Sequence, residues 1–230
     1  MLMKSLRPLS ALYYFVSLSF LFAVFAFSAS LISGDEAKAE ASTGENISME
    51  KKSEVATLGG GCFWCIEAIF QRVNGVEKVE SGYSGGERPN PTYEQVSSGA
   101  TGHAEVIQLT FDPAKVSFAE LLEMFFHLHD PTTLNRQGAD SGTQYRSVIF
   151  YHDVEQKKVA EAVKAKIESD KLWANPIVTE ISPLKAYYPA EDYHQNYYNN
   201  NKSKQYCSIV IAPKIAKLLK EFASKLKPDA

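Results

Sequence analysis

Hydrophobic positions recur along this chain with two periods, and the change from one to the other marks out its elements. The run Glu54-Val55-Ala56-Thr57-Leu58 predicts a short strand. Gly59-Gly60-Gly61 follows as a loop whose missing side chains let the backbone turn tightly and approach a ligand. Ile66, Ile69, Phe70 and Val73 fall at helical spacing and predict a helix over 63–73, which puts Cys62 at a helix N-terminus. Val76 to Tyr83, ending in the turn Ser84-Gly85-Gly86, and Ala104 to Phe111, stopped by Asp112-Pro113, predict two strands. Ser117 followed by Glu120 has capping-box spacing and opens a helix from Phe118 to His127, which Asp130-Pro131 closes. A strand is expected from Tyr145 to Tyr151, a long amphipathic helix from Asp153 and Gln156 to Ser169, strands over 177–181 and 208–211, and a basic helix over 214–226. Neighbouring strands such as Val76–Tyr83 and Ala104–Phe111 have no helix between them. The expected fold is therefore α+β, a two-layer sandwich with a mixed sheet and a ferredoxin-like core elaborated with extra helices and loops.

The first 53 residues follow neither period. Lys4 and Arg7 precede an uncharged apolar stretch from Pro8 to Gly34, the pattern of a segment that directs a chain to a membrane. Ala37-Lys38-Ala39 fits a small-x-small cleavage site, with Ser28-Ala29-Ser30 as an alternative, and the stretch is also long enough to span a bilayer uncleaved. Residues 1–39 are expected to be a signal peptide or a membrane anchor. The positive charges lie on the N-terminal side, so either outcome exports the protein to a periplasmic or other extracytoplasmic space. Residues 40–53, rich in Glu, Lys, Ala and Ser and without an aromatic ring, predict a disordered linker. Residues 54–230 remain as one domain, long enough to bury a sizeable core.

A net charge of −3 supplies no basic field for phosphates, which argues against nucleic acid as a partner. Three cysteines are too few for a disulfide scaffold and, being odd in number, leave at least one free or in exchange chemistry. A helix N-terminus favours the reactive thiolate, so Cys62 is the candidate nucleophile. Beside it, Phe63 and Trp64 offer flat apolar surface suited to a methyl group or thioether chain. Cys62 and Cys65 form a C-x-x-C pair that can close into a disulfide or bind metal. Zinc needs four ligands, and Cys207, His103 and His194 stand at no paired-ligand spacing, so no metal is expected. Strand, loop, C-x-x-C and helix in that order also suit a general dithiol-disulfide oxidoreductase using Cys62 and Cys65. A binding module with a structural C-x-x-C pair is the non-enzymatic alternative.

Gly59-Gly60-Gly61-Cys62-Phe63-Trp64 resembles the active-site signature of the methionine sulfoxide reductase A family. Further segments agree in order, among them Gly82-Tyr83-Ser84-Gly85-Gly86, Pro91-Thr92-Tyr93-Glu94-Gln95-Val96, Gly102-His103-Ala104-Glu105, Asn135-Arg136-Gln137-Gly138-Ala139-Asp140, Gly142-Thr143-Gln144-Tyr145 and Ala190-Glu191-Asp192-Tyr193-His194-Gln195. The resemblance runs from Leu58 to Pro213. It implies an enzyme of protein repair under oxidative stress, a catalytic domain over 54–230 that reduces methionine S-sulfoxide, free or in proteins, without a bound cofactor. By motif it implies that Cys62 attacks the sulfoxide sulfur and becomes a sulfenic acid. It implies equally that Glu105 is the acid, that Tyr93 and Tyr145 hydrogen-bond the sulfoxide oxygen, that Asp140 positions the substrate, and that Phe63 and Trp64 form the methyl pocket. An acid protonated near neutral pH would require a largely apolar site. His194 would either orient groups near the site or lie on a helix surface or at a helix cap, and the cluster Tyr187, Tyr188, Tyr193, Tyr197 and Tyr198 suits core or interface. Two cysteines are candidates to resolve the sulfenic acid: Cys207, matching the C-terminal cysteine of many members, and Cys65. The glycine-rich cysteine tail of some members is absent. A thioredoxin-like dithiol protein would complete the cycle, the domain is expected to be a monomer, and the N-terminal segment would be its one contact with a membrane.

Overall fold

A computed structural model describes residues 53–230. The expectations for residues 1–39 and for the linker up to residue 52 lie outside the described residues. Ser53, expected at the linker's end, already donates its hydroxyl to Glu77 Oε2 at 2.8 Å. Among the described residues no helix is long and apolar enough to cross a membrane.

The elements run β1 (Glu54–Gly60), α1 (Phe63–Phe70), β2 (Val76–Ser84), α2 (Tyr93–Ser97), β3 (Ala104–Phe111), α3 (Phe118–Leu128), the short hairpin β4 (Arg136–Gln137) and β5 (Asp140–Ser141), β6 (Ser147–Tyr151), α4 (Val154–Ser169), β7 (Glu180–Pro183), β8 (Tyr187–Pro189), α5 (Tyr197–Asn200) and α6 (Ala212–Glu221). Six strands form one sheet in the order β7-β6-β1-β3-β2-β8. Every pairing is antiparallel except β6 with β7, so the sheet is mixed and the fold α+β, as the strand pattern predicts.

Alternation along the strands sorts their side chains between two faces. Leu58, Ile107, Leu109, Phe111 and Ile149 join Ile69 and Phe70 of α1, Leu121 and Phe125 of α3 and Ala160 of α4 in the main core. The other face carries a smaller cluster of Ala104, Val106, Val148 and Phe150, packed with Leu184 and Tyr187. Glu105 shares the parity of Ile107 and Leu109, which turns a carboxyl group towards the helices. Helix starts follow the local signals. Ser117 Oγ accepts from Glu120 N at 3.2 Å while Glu120 Oε2 accepts from Ser117 N at 2.9 Å, and Asp153 accepts from Gln156 N at 2.8 Å.

Several expected boundaries are corrected. Tyr145 belongs to a 3₁₀ turn, Thr143–Tyr145, entered through Gly142, and its strand begins at Ser147. The strand expected over 177–181 lies at Glu180–Pro183, because Val178 N donates instead to Pro131 O at 2.8 Å. No strand forms at 208–211. Cys207–Ile211 is a π-helical turn running into α6, with Cys207 and Ile211 buried four residues apart and Ile209 61% exposed. A short apolar run is compatible with either period, and here packing on the core selects the helical one. The last helix ends at Glu221, and α1 ends at Phe70, because the chain after Phe222 returns to the end of α1: Asn74 N donates to Lys225 O at 2.8 Å and Val73 bridges to Leu226.

The capping box at Ser117 carries a measurable share of stability. Ser117→Ala is expected to lower the unfolding free energy by about 1 kcal/mol in a urea titration, with an unchanged denaturant slope.

Candidate active site

Where β1 hands over to α1, Cys62 takes a non-helical conformation (φ −54°, ψ 124°) and its carbonyl accepts from Cys65 N at 3.0 Å. The next residue's N–H is one of the first-turn donors that a helix leaves without an internal partner. Phe63 N donates to Glu105 Oε2 at 3.0 Å, across 42 residues of sequence. Glu105 is 1% exposed. Burial pushes its carboxyl up to about 8, against the pull of the Phe63 N–H and with help from Asp140 and Cys65. At neutral pH it is therefore a carboxylic acid.

A cavity of about 160 Å³ opens over this pair, the size of one side chain rather than of a large ligand. It gathers Cys62, Phe63, Trp64, Tyr93, Glu105, Asp140 and Tyr145, all singled out in the sequence, together with Tyr206. Tyr93 arrives on the first turn of α2, where its N–H donates to Glu191 Oε1 at 2.8 Å. Tyr145 closes its 3₁₀ turn. Burial raises both phenols above their usual range, so each remains a hydrogen-bond donor. Asp140 comes from the β4–β5 hairpin, paired with Gln137. That hairpin can pass so close because Gly61 has φ +90° and no side chain: a Cβ there would lie 2.5 Å from Gln137 Cγ.

Tyr206 is the residue that reading the sequence missed. Its hydroxyl donates to Asp140 Oδ2 at 2.8 Å and lies 3.8 Å from Cys65 Sγ, and its ring meets Trp64 edge-on at 5.8 Å. Its one sequence signal is the place it holds before Cys207. Tyr197, expected in core or interface, stacks flat on Trp64 with centroids 3.7 Å apart and planes 6° from parallel. His194 sits neither on a helix surface nor at a cap. It is buried in a 3₁₀ turn against Trp64, Phe63 and Tyr93.

All three cysteines are free and buried. Cys62 draws the Cys65 thiol down to about 7, while burial first and Cys65 second push Cys62 up. The pair as a unit loses one proton near neutrality and the second far above it. The first proton to leave near neutrality therefore belongs to the Cys62–Cys65 pair and not to Cys62 by itself. Cys207 lies outside the cavity, fully buried in the π-helical turn, and burial raises its thiol.

Known proteins resemble this chain in sequence and in overall structure. A family model described as peptide methionine sulfoxide reductase matches residues 54–227. The peptide methionine sulfoxide reductase MsrA of Polynucleobacter asymbioticus is 56% identical over 176 residues, 76% of this chain and 93% of the relative. That of Sulfolobus acidocaldarius is 58% identical over 172 residues, 75% and 97% of the two chains. Among solved structures, Mxr1 from Saccharomyces cerevisiae in reduced form superposes with a TM-score of 0.62 at 36% identity, over 68% of this chain and 90% of that one. Methionine sulfoxide reductase A of Corynebacterium diphtheriae gives 0.59 at 38% identity, over 65% and 76%.

The shared proton has a direct readout. Thiolate absorbance followed against pH is expected to rise first with a midpoint near 7, set by Cys65 beside Cys62. In Cys65→Ser that first midpoint moves upward, and a midpoint that stayed put would contradict the shared charge.

Proposed function

The chain belongs to the peptide methionine sulfoxide reductase family, and from that premise we propose how its cavity reduces the S epimer of methionine sulfoxide. The carrying observation is a buried carboxylic acid, Glu105, held at about 8 by burial with its oxygen on the N–H of the residue after the thiol. Cys62, as thiolate, attacks the sulfoxide sulfur while Glu105 gives its proton to the oxygen, whose growing charge also receives the Tyr93 and Tyr145 hydroxyls. Phe63 and Trp64 take the methyl group and Asp140 orients the substrate's polar backbone. The sulfoxide S–O bond then breaks as the protonated oxygen passes to the Cys62 sulfur, the transient bond between the two sulfurs opens, and methionine leaves with Cys62 as a sulfenic acid.

Cys65 then attacks the Cys62 sulfur and displaces water, leaving a Cys62–Cys65 disulfide. Its backbone bond to the Cys62 carbonyl, one helical turn away, and its thiol near 7 support it over Cys207, which is buried in the π-helical turn. The non-helical backbone of Cys62 gives the pair freedom to close. A thioredoxin-like dithiol protein returns both cysteines to thiols by exchange and is itself oxidised. The whole cavity comes from one chain, which supports a monomer as the working unit. A general dithiol exchanger would have no use for the buried acid and the aromatic cradle around it.

The core reads as ferredoxin-like, supported by the succession β1-α1-β2-β3-α3-β6 and the antiparallel run β6-β1-β3-β2. Lys4, Arg7 and the apolar stretch to Gly34 support a leader or anchor over 1–39, and the polar composition of 40–53 supports a linker; on this reading the catalytic domain works outside the cytoplasm. Cell fractionation with N-terminal sequencing separates the two.

With dithiothreitol in excess the protein is expected to consume the S epimer of methionine sulfoxide and spare the R epimer; no loss of the S epimer would sink the reading. The raised Glu105 is protonated below about 8, so turnover falls as pH rises through that value. Glu105→Gln should lower kcat about a hundredfold or more and abolish that alkaline limb. After one turnover without reductant, peptide mapping should find Cys62 joined to Cys65 in the native chain and in Cys207→Ser. A Cys62–Cys207 bond would assign the resolving role to Cys207.

A further inference from the structure

We propose that His194 is a positioning residue that sets the shape of the methyl pocket, by holding the Trp64 indole in one orientation; this rests on reading Phe63 and Trp64 as that pocket. The indole N–H is a donor only, and it ends on His194 Nδ1 at 3.1 Å. Nδ1 is then an acceptor, so the ring's proton is on Nε2. That nitrogen is buried without a hydrogen-bond partner and lies 3.8 Å from Glu191 Oε2. The imidazole is 1% exposed and stands behind three walls of the cavity, with ring centroids 5.0 Å from Phe63, 5.5 Å from Trp64 and 4.5 Å from Tyr93. It acts on the substrate only through them.

The segment around it is itself anchored. Glu191 accepts from Tyr93 N at 2.8 Å and from the Tyr83 hydroxyl at 2.9 Å, so the carboxylate that faces Nε2 also fixes the turn carrying Tyr93. Two and three residues after His194, the Glu67 carboxylate accepts from Asn196 N at 2.8 Å and Tyr197 N at 3.3 Å, and Tyr197 is the ring stacked on Trp64. Trp64 is thus held by its N–H and by one face, from a single stretch of chain. Without an acceptor at Nδ1 the indole must leave its N–H unpaired in the interior or turn, and a turned indole no longer measures a methyl group.

The test compares the S epimers of methionine sulfoxide and ethionine sulfoxide, which differ by one methylene at the proposed pocket. In His194→Leu the methyl-over-ethyl ratio of kcat/KM is expected to fall about tenfold, within the range that one methylene can command, with KM rising more than kcat falls. His194→Asn puts an amide oxygen where Nδ1 stands and should restore the ratio; His194→Gln, one bond longer, should not. With Trp173→Phe as background, Trp64 is the sole tryptophan, and its emission and anisotropy should change in the Leu and Gln variants and return in the Asn variant. Trp64→Phe separates the two ideas. If it leaves the ratio unchanged, the methyl-pocket reading fails. If it shifts the ratio while the Leu and Gln variants keep native ratio and fluorescence, or if Asn rescues no better than Gln, the role given to His194 is overturned.

Discussion

The hydrogen bond from the Phe63 backbone N–H to the Glu105 carboxyl ties the first turn of α1 to the helix-facing side of β3, and the chemistry of the site depends on it. A charged carboxylate in such surroundings costs several kcal/mol unless strongly paired. One N–H is too little to hold the charge, so burial wins and the group stays a carboxylic acid up to about 8. The same bond fixes that acid relative to the sulfur one residue earlier. It also satisfies a helix donor that would otherwise be buried without a partner.

The proposed acid and the proposed nucleophile are linked through their charges as well as their positions. The Cys62–Cys65 pair sheds its first proton near 7, and Glu105 keeps its own to about 8, so thiolate and carboxylic acid coexist around neutrality. The coupling is repulsion between negative charges: the Cys65 charge raises Glu105 and keeps it protonated, whereas an ionised Glu105 raises Cys62 and opposes its thiolate. Groups whose environments push their proton affinities in useful directions at working pH are how a small set of side chains performs acid and nucleophile chemistry together.

Around this joint the chain folds in two supports from far away. The β4–β5 hairpin brings Asp140 past a glycine that leaves it room, and the segment from Glu191 to Tyr197 brings the partners of Trp64. Tyr206 connects them, with its hydroxyl on Asp140 and its ring edge on Trp64. One hydroxyl proton serves Asp140 in this arrangement, so any bond Tyr206 makes to a Cys65 thiolate competes with it. The carboxylate proposed to position substrate and the thiol proposed to resolve the sulfenic acid therefore meet at a residue no local pattern marks.

By itself the sequence determined what depends on near neighbours: the strand periods of β2 and β3, the capped starts of α3 and α4, the thiol at the head of α1 and the ordered motifs from Cys62 to Asp140. These signals reside in residues a few positions apart, where backbone geometry dictates who meets whom. Only the tertiary structure decided that Cys207–Ile211 is a helical turn, that burial raises the Cys62 thiol while Cys65 is drawn down beside it, that Glu105 is buried deeply enough to stay protonated, and that His194 and Tyr206 meet Trp64 and Asp140. Those outcomes depend on contacts across 66 and 130 residues and on the exclusion of water by packing. An ambiguous apolar run takes its period from the surface it covers, and a titratable group takes its proton affinity from the dielectric around it, and both exist only once the chain has closed on itself.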